Sequence, residues 1–258
     1  MTHRHALITG ASSGIGAAFA RALPKSTALL LTGRDRGKLA QLASDLALSS
    51  RPVRTVAADL STAEGRQAVI AAAAEQPIDL LINNAGLGWL GPVVENPPER
   101  EAEIVQVNIA APVEITRALL PGMIRRARER GERCGAVFVA SAAAFMPIPL
   151  FATYAASKAF LLHYAEALAE ELAQDPVDVL ALCPGATETR FFERAHVAPG
   201  GVPASHDAAR VAREGLQALG RRVVHVVGPG NYLATAAARF LPRRFVTAAA
   251  ERAMRKWR

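Results

Sequence analysis

Short apolar segments alternate along the whole chain with longer amphipathic segments that are rich in Ala, Leu, Glu and Arg. Most of the short segments are continuously apolar, which is typical of parallel strands covered by helices on both faces. The pattern predicts strands at 6–9, 28–32, 53–57, 80–83, 136–140, 178–183 and 223–227. It predicts helices at 14–23, 35–48, 62–74, 99–130, 153–173 and 207–219.

This alternation of strand and helix predicts the α/β class, with a Rossmann-like doubly wound parallel β-sheet of about seven strands and helices on both faces. No linker, internal repeat or low-complexity segment divides the 258 residues, so we expect a single domain over 1–258. The segment 155–172 is apolar nearly all round. Such a helix is usually buried on more than one side, which raises the hypothesis of a homodimer or homotetramer.

The net charge of +7 is concentrated at the end of the chain. Residues 221–258 hold nine of the 30 basic residues and one of the 23 acidic ones, and the rest of the chain has a net charge of −1. Because the basic excess is local, the sequence does not favour binding to nucleic acid.

The stretch at about 229–258 is predicted to be a basic, amphipathic C-terminal extension. In this prediction a final helix begins at Pro242 and places Phe245, Ala249, Met254 and Trp257 on its apolar side. Three uses remain open for it: covering the subunit's own pocket, gripping a second subunit, or contacting an anionic membrane surface or an acyl-carrier partner.

The few cysteines and histidines and the absence of long apolar runs bear on the compartment and the metal content of the protein. The two cysteines do not suggest a disulfide framework, and no apolar run approaches the roughly 18 to 20 residues of a membrane span. The first predicted strand begins too early to leave room for a signal peptide, so we expect a cytoplasmic protein. The six histidines show no set with ligand-like spacing, and we expect no catalytic metal.

Three glycines lie between the first predicted strand and the first predicted helix, in the spacing Gly10-x3-Gly14-x-Gly16. A tight turn, close approach of the backbone to a pyrophosphate, and close helix–strand packing each require a glycine there. Ser12 and Ser13 add hydroxyl donors to the N–H groups at the helix start. The junction is therefore predicted to bind a dinucleotide.

Arg34 follows the second predicted strand, where many NAD-binding folds carry an acidic residue. An aspartate there would repel a 2′-phosphate, whereas the planar guanidinium of arginine binds phosphate well. Arg34, with help from Ser13 and Arg36, therefore indicates NADP(H) rather than NAD(H).

Tyr154 and Lys158 form a Tyr-x3-Lys pair on one face of a predicted helix. With three tyrosines and four lysines in the chain, such a pair is expected by chance only about 0.05 times. Ser141 ends the preceding strand and is close enough in the chain to reach the same site. The three side chains are predicted to form a catalytic centre.

With further motifs, these residues resemble the short-chain dehydrogenase/reductase family, in its compact single-domain branch. The resemblance runs from residue 6 to roughly residue 228. Its motifs are Thr9-Gly10-x3-Gly14-Ile15-Gly16, Asp59-Leu60, Asn83-Asn84-Ala85-Gly86, Asn108, Ser141, Tyr154-x3-Lys158 and Pro184-Gly185-x-Thr187-x-Thr189.

The resemblance implies a nicotinamide-dependent oxidoreductase with four catalytic residues. Tyr154 would exchange a proton with the substrate oxygen, and Ser141 would hold and polarise that oxygen. Lys158 would bind the nicotinamide ribose and lower the pKa of the tyrosine. Asn108 would bind a water that passes the proton to solvent.

The resemblance also implies the dinucleotide contacts. Asp59 would contact the adenine, and residues 84–86 would line the adenosine. Thr187 and Thr189 would hold the carboxamide. The full set of expected cofactor-binding residues is Gly10, Ser12, Ser13, Gly14, Ile15, Gly16, Arg34, Asp59, Leu60, Asn84, Ala85, Gly86, Tyr154, Lys158, Pro184, Gly185, Thr187 and Thr189.

The loops near the predicted catalytic centre are mostly apolar or aromatic, which favours an apolar or aromatic carbonyl or alcohol as the small-molecule substrate. The pocket candidates are Leu87, Trp89, Phe145, Ile148, Leu150, Phe191 and Phe192. Residues 190–206 are long and contain several Pro and Gly, which is typical of a lid.

A second class of function remains open, a catalytically inactive NADP(H)-binding sensor or scaffold of the same fold. A sensor has no need to keep all four catalytic candidates together. Their joint presence favours the enzyme.

Overall fold

The computed structural model describes residues 3–47, 51–198 and 206–257. Seven parallel strands form one sheet in the order β3-β2-β1-β4-β5-β6-β7. They are β1 (His5–Ile8), β2 (Ala28–Gly33), β3 (Val53–Ala57), β4 (Leu80–Asn83), β5 (Cys134–Val139), β6 (Val177–Cys183) and β7 (Val224–Val226).

The helices cover both faces of the sheet. They are α1 (Gly14–Ala22), α2 (Arg36–Leu46), α3 (Ala63–Ala74), α4 (Pro98–Val105), α5 (Ala111–Arg130), α6 (Ala152–Glu171), α7 (Phe191–Arg194), α8 (Ala208–Ala218), α9 (Pro229–Phe240) and α10 (Arg243–Arg255). Helices α1, α2 and α8 pack with the core on one face, and α3, α5 and α6 pack with the core on the other. None of the described helices combines the length and apolar composition needed to cross a bilayer.

The predicted fold class is confirmed, and the predicted strands and helices have ends within two residues of the observed ones. β2, β5 and β6 are buried along their whole length. Their continuously apolar sequences follow from helices on both faces, because each side chain then meets an apolar partner whichever way it points.

The segment 99–130 departs from the prediction of one regular helix. Its backbone forms α4, then a single π-helical turn at Gln106–Ala110, and then α5. A π-turn inserts one extra residue into a helix, and such insertions are frequent at functional sites. Apolar periodicity hardly changes over one extra residue, which is why the sequence pattern did not reveal it.

The C-terminal extension folds as two helices, whereas the sequence predicted one. α10 begins directly after Pro242, as expected, but α9 precedes it. The predicted apolar side of α10 is wrong in part: Met254 is buried as predicted, but Phe245 and Ala249 are exposed and Val246, which was not predicted, is buried. α10 packs on the body of the protein through a face that is rotated slightly from the predicted one. Tertiary packing, and not the local sequence, selects that face.

The strand order places a topological switch point between β1 and β4. The chain moves outward from β1 to β3, returns, and then moves outward the other way from β4 to β7. The connections after β1 and β4 therefore diverge and leave a crevice at the carboxyl ends of the strands. Ligands of doubly wound folds bind in such a crevice.

Candidate active site

The glycine turn opens onto this crevice. Gly10 has φ 65° and Gly14 has φ 56°, both in the left-handed region that residues with side chains rarely adopt. A Cβ at Gly16 would lie 2.4 Å from the carbonyl oxygen of Gly10. Ser13 precedes α1 but makes no capping hydrogen bond through its side chain. The N–H groups at the start of α1 can therefore receive an anion such as a pyrophosphate.

The start of the turn is fastened to the end of β4 by Thr9 and Asn84. The Thr9 hydroxyl accepts hydrogen bonds from the main-chain N–H of Asn84 at 2.9 Å and of Ala85 at 3.0 Å. The Asn84 side chain donates to the carbonyl oxygen of Thr9 at 2.9 Å. Thr9 belongs to the glycine motif but was not expected to contact the cofactor. Its hydrogen bonds to the end of β4 indicate that it holds the turn in shape.

Arg34 lies exposed at the rim of the crevice, directly after β2. A Cβ at Gly33 would lie 3.1 Å from the Ser12 hydroxyl, so the end of β2 contacts the glycine turn. Burial acts to raise the pKa of the Asp59 carboxyl, but hydrogen bonds from Ser61 and the positive charge of Arg34 hold that pKa below its ordinary value. The rim thus places an ionised carboxylate within the electrostatic influence of a guanidinium that faces solvent.

Tyr154 and Lys158 are both buried and lie one turn apart on α6. The Lys158 Nζ donates to the carbonyl oxygen of Val139 at 2.7 Å and is 5.8 Å from the centre of the Tyr154 ring. A Cβ at Gly86 would lie 3.1 Å from the same Nζ. The ammonium group therefore lies between the phenol and the ends of β4 and β5.

Burial shifts both groups toward their neutral forms. It raises the pKa of Tyr154 to about 12, although the nearby Ser141 hydroxyl acts to lower it. It lowers the pKa of Lys158 to about 8. The expected lowering of the phenol pKa by Lys158 is not found in this structure, because loss of hydration outweighs the other contributions.

Asn108 lies inside the π-turn, and its side chain is fully buried. Its amide donates to the Leu87 carbonyl oxygen at 2.9 Å and to the Ser157 hydroxyl at 2.8 Å, and accepts from the Leu87 N–H at 2.8 Å. Ser157 in turn donates to the Tyr154 carbonyl oxygen at 2.7 Å. Both amide N–H groups are thus engaged, and the side chain ties the π-turn to α6. The water that Asn108 was expected to bind stays a prediction.

The chain after β6 folds over the glycine turn. A Cβ at Gly14 would lie 2.9 Å from the Thr189 methyl group. The Thr187 hydroxyl donates to the Gly185 carbonyl oxygen at 3.0 Å, and the Thr189 hydroxyl accepts from the Phe191 N–H at 3.2 Å. Of the predicted lid, residues 199–205 lie outside the described part of the chain, so the lid remains a prediction.

One cavity of about 890 Å³ joins these parts. The predicted site residues that line it are Gly10, Ser12, Ser13, Gly14, Ile15, Arg34, Asp59, Leu60, Asn84, Ala85, Gly86, Ser141, Tyr154, Lys158, Pro184, Gly185, Thr187 and Thr189. Gly16 and Asn108 lie behind its wall. The cavity runs from a polar, phosphate-binding end at the glycine turn to the phenol and ammonium of α6, which fits an extended dinucleotide.

The other end of the cavity is apolar. Of the predicted pocket residues, Leu87, Ile148, Phe191 and Phe192 line it. The other three predicted residues, Trp89, Phe145 and Leu150, do not line the cavity. The centres of the Trp89 and His196 rings are 3.8 Å apart, and Phe145 and Leu150 pack into hydrophobic clusters.

The C-terminal extension contributes five lining residues, of which Asn231, Ala234 and Thr235 lie on α9. The other two are Met254 and Trp257, apolar side chains that the sequence did not assign to the pocket. They pack in one cluster with Phe151 and Tyr154. In the sequence, the apolar face of the predicted final helix indicated that these side chains would be covered. The fold shows that the residues around Tyr154 cover them. Of the three open uses, covering the subunit's own pocket is therefore observed.

The described residues contain no group of three or more His, Cys, Asp or Glu side chains that could hold a metal ion. The expectation of metal-free catalysis stays a prediction. Cys134 and Cys183 are free and buried, and burial raises the pKa of their thiols to about 11 and about 12.

Comparison with known proteins agrees with this arrangement. A family model described as short chain dehydrogenase matches residues 4–198. A very-long-chain 3-oxoacyl-CoA reductase from Phaeosphaeria nodorum is 38% identical over 183 residues, covering 67% of this chain and 52% of that protein. The chain spans about half, 48% to 52%, of the length of the very-long-chain 3-oxoacyl-CoA reductases that it matches.

Two solved structures share the fold over nearly the whole chain. A short-chain dehydrogenase from Sphingobium yanoikuyae in complex with NADPH has a TM-score of 0.78 and 29% identity, covering 92% of this chain and 93% of its own. A 3-ketoacyl-(acyl-carrier-protein) reductase from Brucella melitensis complexed with NADH has a TM-score of 0.77 and 29% identity, covering 88% and 98%. The chain belongs to the short-chain dehydrogenase family of oxidoreductases, whose solved members include complexes with nicotinamide cofactors.

Proposed function

We propose that the protein is an NADP(H)-dependent oxidoreductase that transfers hydride between nicotinamide and a carbonyl or alcohol, with Tyr154 as the general acid and base. One observation carries the proposal: the phenol of Tyr154 and the ammonium of Lys158 are buried side by side in the cavity that the glycine turn opens. A nicotinamide cofactor bound at the glycine turn and a substrate at Tyr154 can therefore meet in the same cavity.

The residues of the chain hold and move the proton. A bound nicotinamide supplies or accepts the hydride, and the protein orients the reactants. Ser141 and Tyr154 bind the substrate oxygen, and the Tyr154 phenol donates its proton to that oxygen during reduction. Because its pKa is raised, the phenol is protonated at neutral pH and ready for this direction. Lys158 supplies positive charge beside the phenoxide that forms.

The Tyr154→Phe variant tests the assignment. We expect kcat to fall by about a thousandfold or more, because the phenyl ring has no proton to give. NADPH binding, followed by quenching or enhancement of its fluorescence, should change little. Tyr164→Phe is the matched control, because Tyr164 is on the same helix but packs its ring against Phe160 outside the cavity. Full activity in a pure Tyr154→Phe preparation would refute the mechanism.

Preference for NADP(H) rests on Arg34. Solved relatives bind NADPH in one case and NADH in another, so the family alone does not choose. A guanidinium at the rim favours a 2′-phosphate. We expect Arg34→Asp to shift the ratio of kcat/KM for NADPH over NADH by roughly tenfold to a hundredfold toward NADH. Arg125→Asp, an exposed arginine on α5, should leave the ratio unchanged.

The substrate class follows from the apolar end of the cavity. Its rings and its Met254 side chain favour an apolar or aromatic carbonyl over a phosphorylated sugar. NADPH consumption against aldehydes, ketones, diketones and 3-oxoacyl thioesters, with NADH as control, identifies it. If the protein bound NADPH tightly but turned over no member of this panel, the sensor or scaffold alternative would replace the enzyme.

A further inference from the structure

The outward side of the C-terminal extension is strongly apolar. Five of the ten large apolar side chains that the described residues expose lie between residues 232 and 245. Phe240 is 88% exposed, Leu241 55% and Phe245 57%. Scattered single apolar side chains are normal on a surface, but a group of this kind marks an interaction site. We call this group the elbow surface; it consists of Tyr232, Leu233, Phe240, Leu241 and Phe245 with Arg239, Arg243 and Arg244.

Helix geometry makes the elbow surface continuous. Leu233 and Phe240 are seven residues apart on α9 and therefore share a face. Two residues separate the end of α9 from the start of α10, so Phe245 follows Phe240 around a short turn. The Arg244 guanidinium lies 4.9 Å from the centre of the Phe245 ring.

The exposure of these residues does not come from a loosely attached tail. Val246 and Met254 on the other side of α10 are buried, and Met254 packs in one cluster with Phe151. The Trp257 carbonyl oxygen accepts a hydrogen bond from the Ala198 N–H at 2.9 Å. The inward side thus packs the extension on the pocket, and the elbow surface faces outward.

Charge decides between the partners that would cover the elbow surface. Residues 226–250 contain no Asp or Glu, and Glu251 is paired with Arg255. Two copies of the chain joined through this surface would bring like charges together without compensation. An anionic partner is complementary. Exposed aromatic and leucine side chains beside arginines are the pattern of helices that lie in the interface of a bilayer.

We propose that the elbow surface docks the protein on an anionic lipid bilayer, with the three most accessible apolar side chains of the turn at the boundary between headgroups and acyl chains. Arg239, Arg243 and Arg244 would lie at the lipid phosphates. The same α10 carries Met254 into the substrate end of the cavity, so docking would place that end near a store of apolar substrates.

Co-sedimentation with phospholipid vesicles tests this without cofactor or substrate, so its failure is distinguishable from failure of the proposed enzyme. We expect binding to phosphatidylcholine vesicles that contain phosphatidylserine, and little binding to pure phosphatidylcholine. Replacing Arg239, Arg243 and Arg244 together by Gln should weaken the partition coefficient by about a hundredfold, at about fivefold per charge. The same triple change at Arg117, Arg125 and Arg130, which are exposed on α5, is the matched control.

A second variant separates insertion from charge attraction. Phe240→Ser with Leu241→Ser and Phe245→Ser should abolish sedimentation, whereas Val94→Ser, at a side chain 94% exposed elsewhere, should not change it. Circular dichroism and NADPH binding establish that each variant is folded. Equal binding to both vesicle types, or sedimentation unaffected by the elbow variants, would overturn the proposal. The proposal would also be overturned if the triple serine variant changed from dimer to monomer while its vesicle binding stayed the same. The partner of the elbow surface would then be a second copy of the chain.

Discussion

At the scale of single residues, Lys158 is subject to two opposing demands. The proposed chemistry needs its charge, whereas burial removes water from the ammonium group and lowers its pKa to about 8. A lysine whose pKa is depressed in the folded state destabilises the fold while it is charged. This cost is present below about pH 8 and disappears as the pH rises toward the ordinary lysine value.

The pH dependence of activity and of stability should therefore run in opposite directions. Reductive kcat/KM, which reports the free enzyme, should decline as the pH rises through about 8, because the ammonium is lost. In the same alkaline window the unfolded state binds more protons at this lysine than the folded state does, so its contribution to the free energy of unfolding rises.

Urea denaturation from about pH 7 to about pH 10 measures the second effect, with Lys158→Met as the reference that lacks the titrating group. The stability advantage of Lys158→Met over the unchanged protein should shrink as the pH rises. A constant difference across this window, or a kcat/KM that stays flat up to about pH 10, would show that the lysine does not titrate there.

At the scale of elements, the π-turn within the α4–α5 helix is held by one buried side chain. The Asn108 side chain forms hydrogen bonds with the main chain of Leu87, on the loop after β4, and with the hydroxyl of Ser157 on α6. Asn108→Ala leaves these buried groups unpaired, and we expect a loss of about 2 to 4 kcal/mol in the free energy of unfolding. Asn108→Asp keeps the acceptor but not the donors, and should recover only part of the loss in chemical denaturation.

The wall that α10 and the residues directly after it contribute to the cavity should set the size of the substrate. Trp257→Ala should raise kcat/KM for a bulky ketone relative to a small one by about tenfold, because removal of the indole ring opens space beside Phe192. Trp89→Ala is the natural control, since the other tryptophan packs on His196 and Arg100 outside the cavity. Equal effects of the two variants on this ratio would mean that α10 does not bound the substrate.

At the scale of the whole molecule, α6 still presents an uncovered side. Phe160 is 37% exposed and stacks on Tyr164, with Ala152, Ala156 and Ala167 exposed along the same helix. We propose that a second subunit covers this side. Phe160→Asp should then convert the oligomer to a monomer in light scattering, and an unchanged mass would contradict the proposal. The elbow surface is separate, so vesicle binding should persist in this variant.

Local patterns in the sequence determined the elements, the fold class and most of the candidate site. Continuous apolar strands, the glycine spacing and the Tyr-x3-Lys pair depend on neighbours in the chain, and parallel connectivity forces the ends of the strands to one edge. For that reason Ser141, at the end of a strand, could be assigned to the same site as Tyr154, whereas Asn84 and Thr189 were assigned through the family resemblance.

Tertiary structure decided what depends on contacts between distant segments. It selected the buried side of α10, brought Met254 and Trp257 to the substrate end, and turned the Asn108 amide toward Leu87. It also set the direction of the pKa shifts, because desolvation depends on what surrounds a group on all sides. A sequence specifies which side chains are apolar or charged, and only the assembled fold specifies which of them lose their water and which remain exposed.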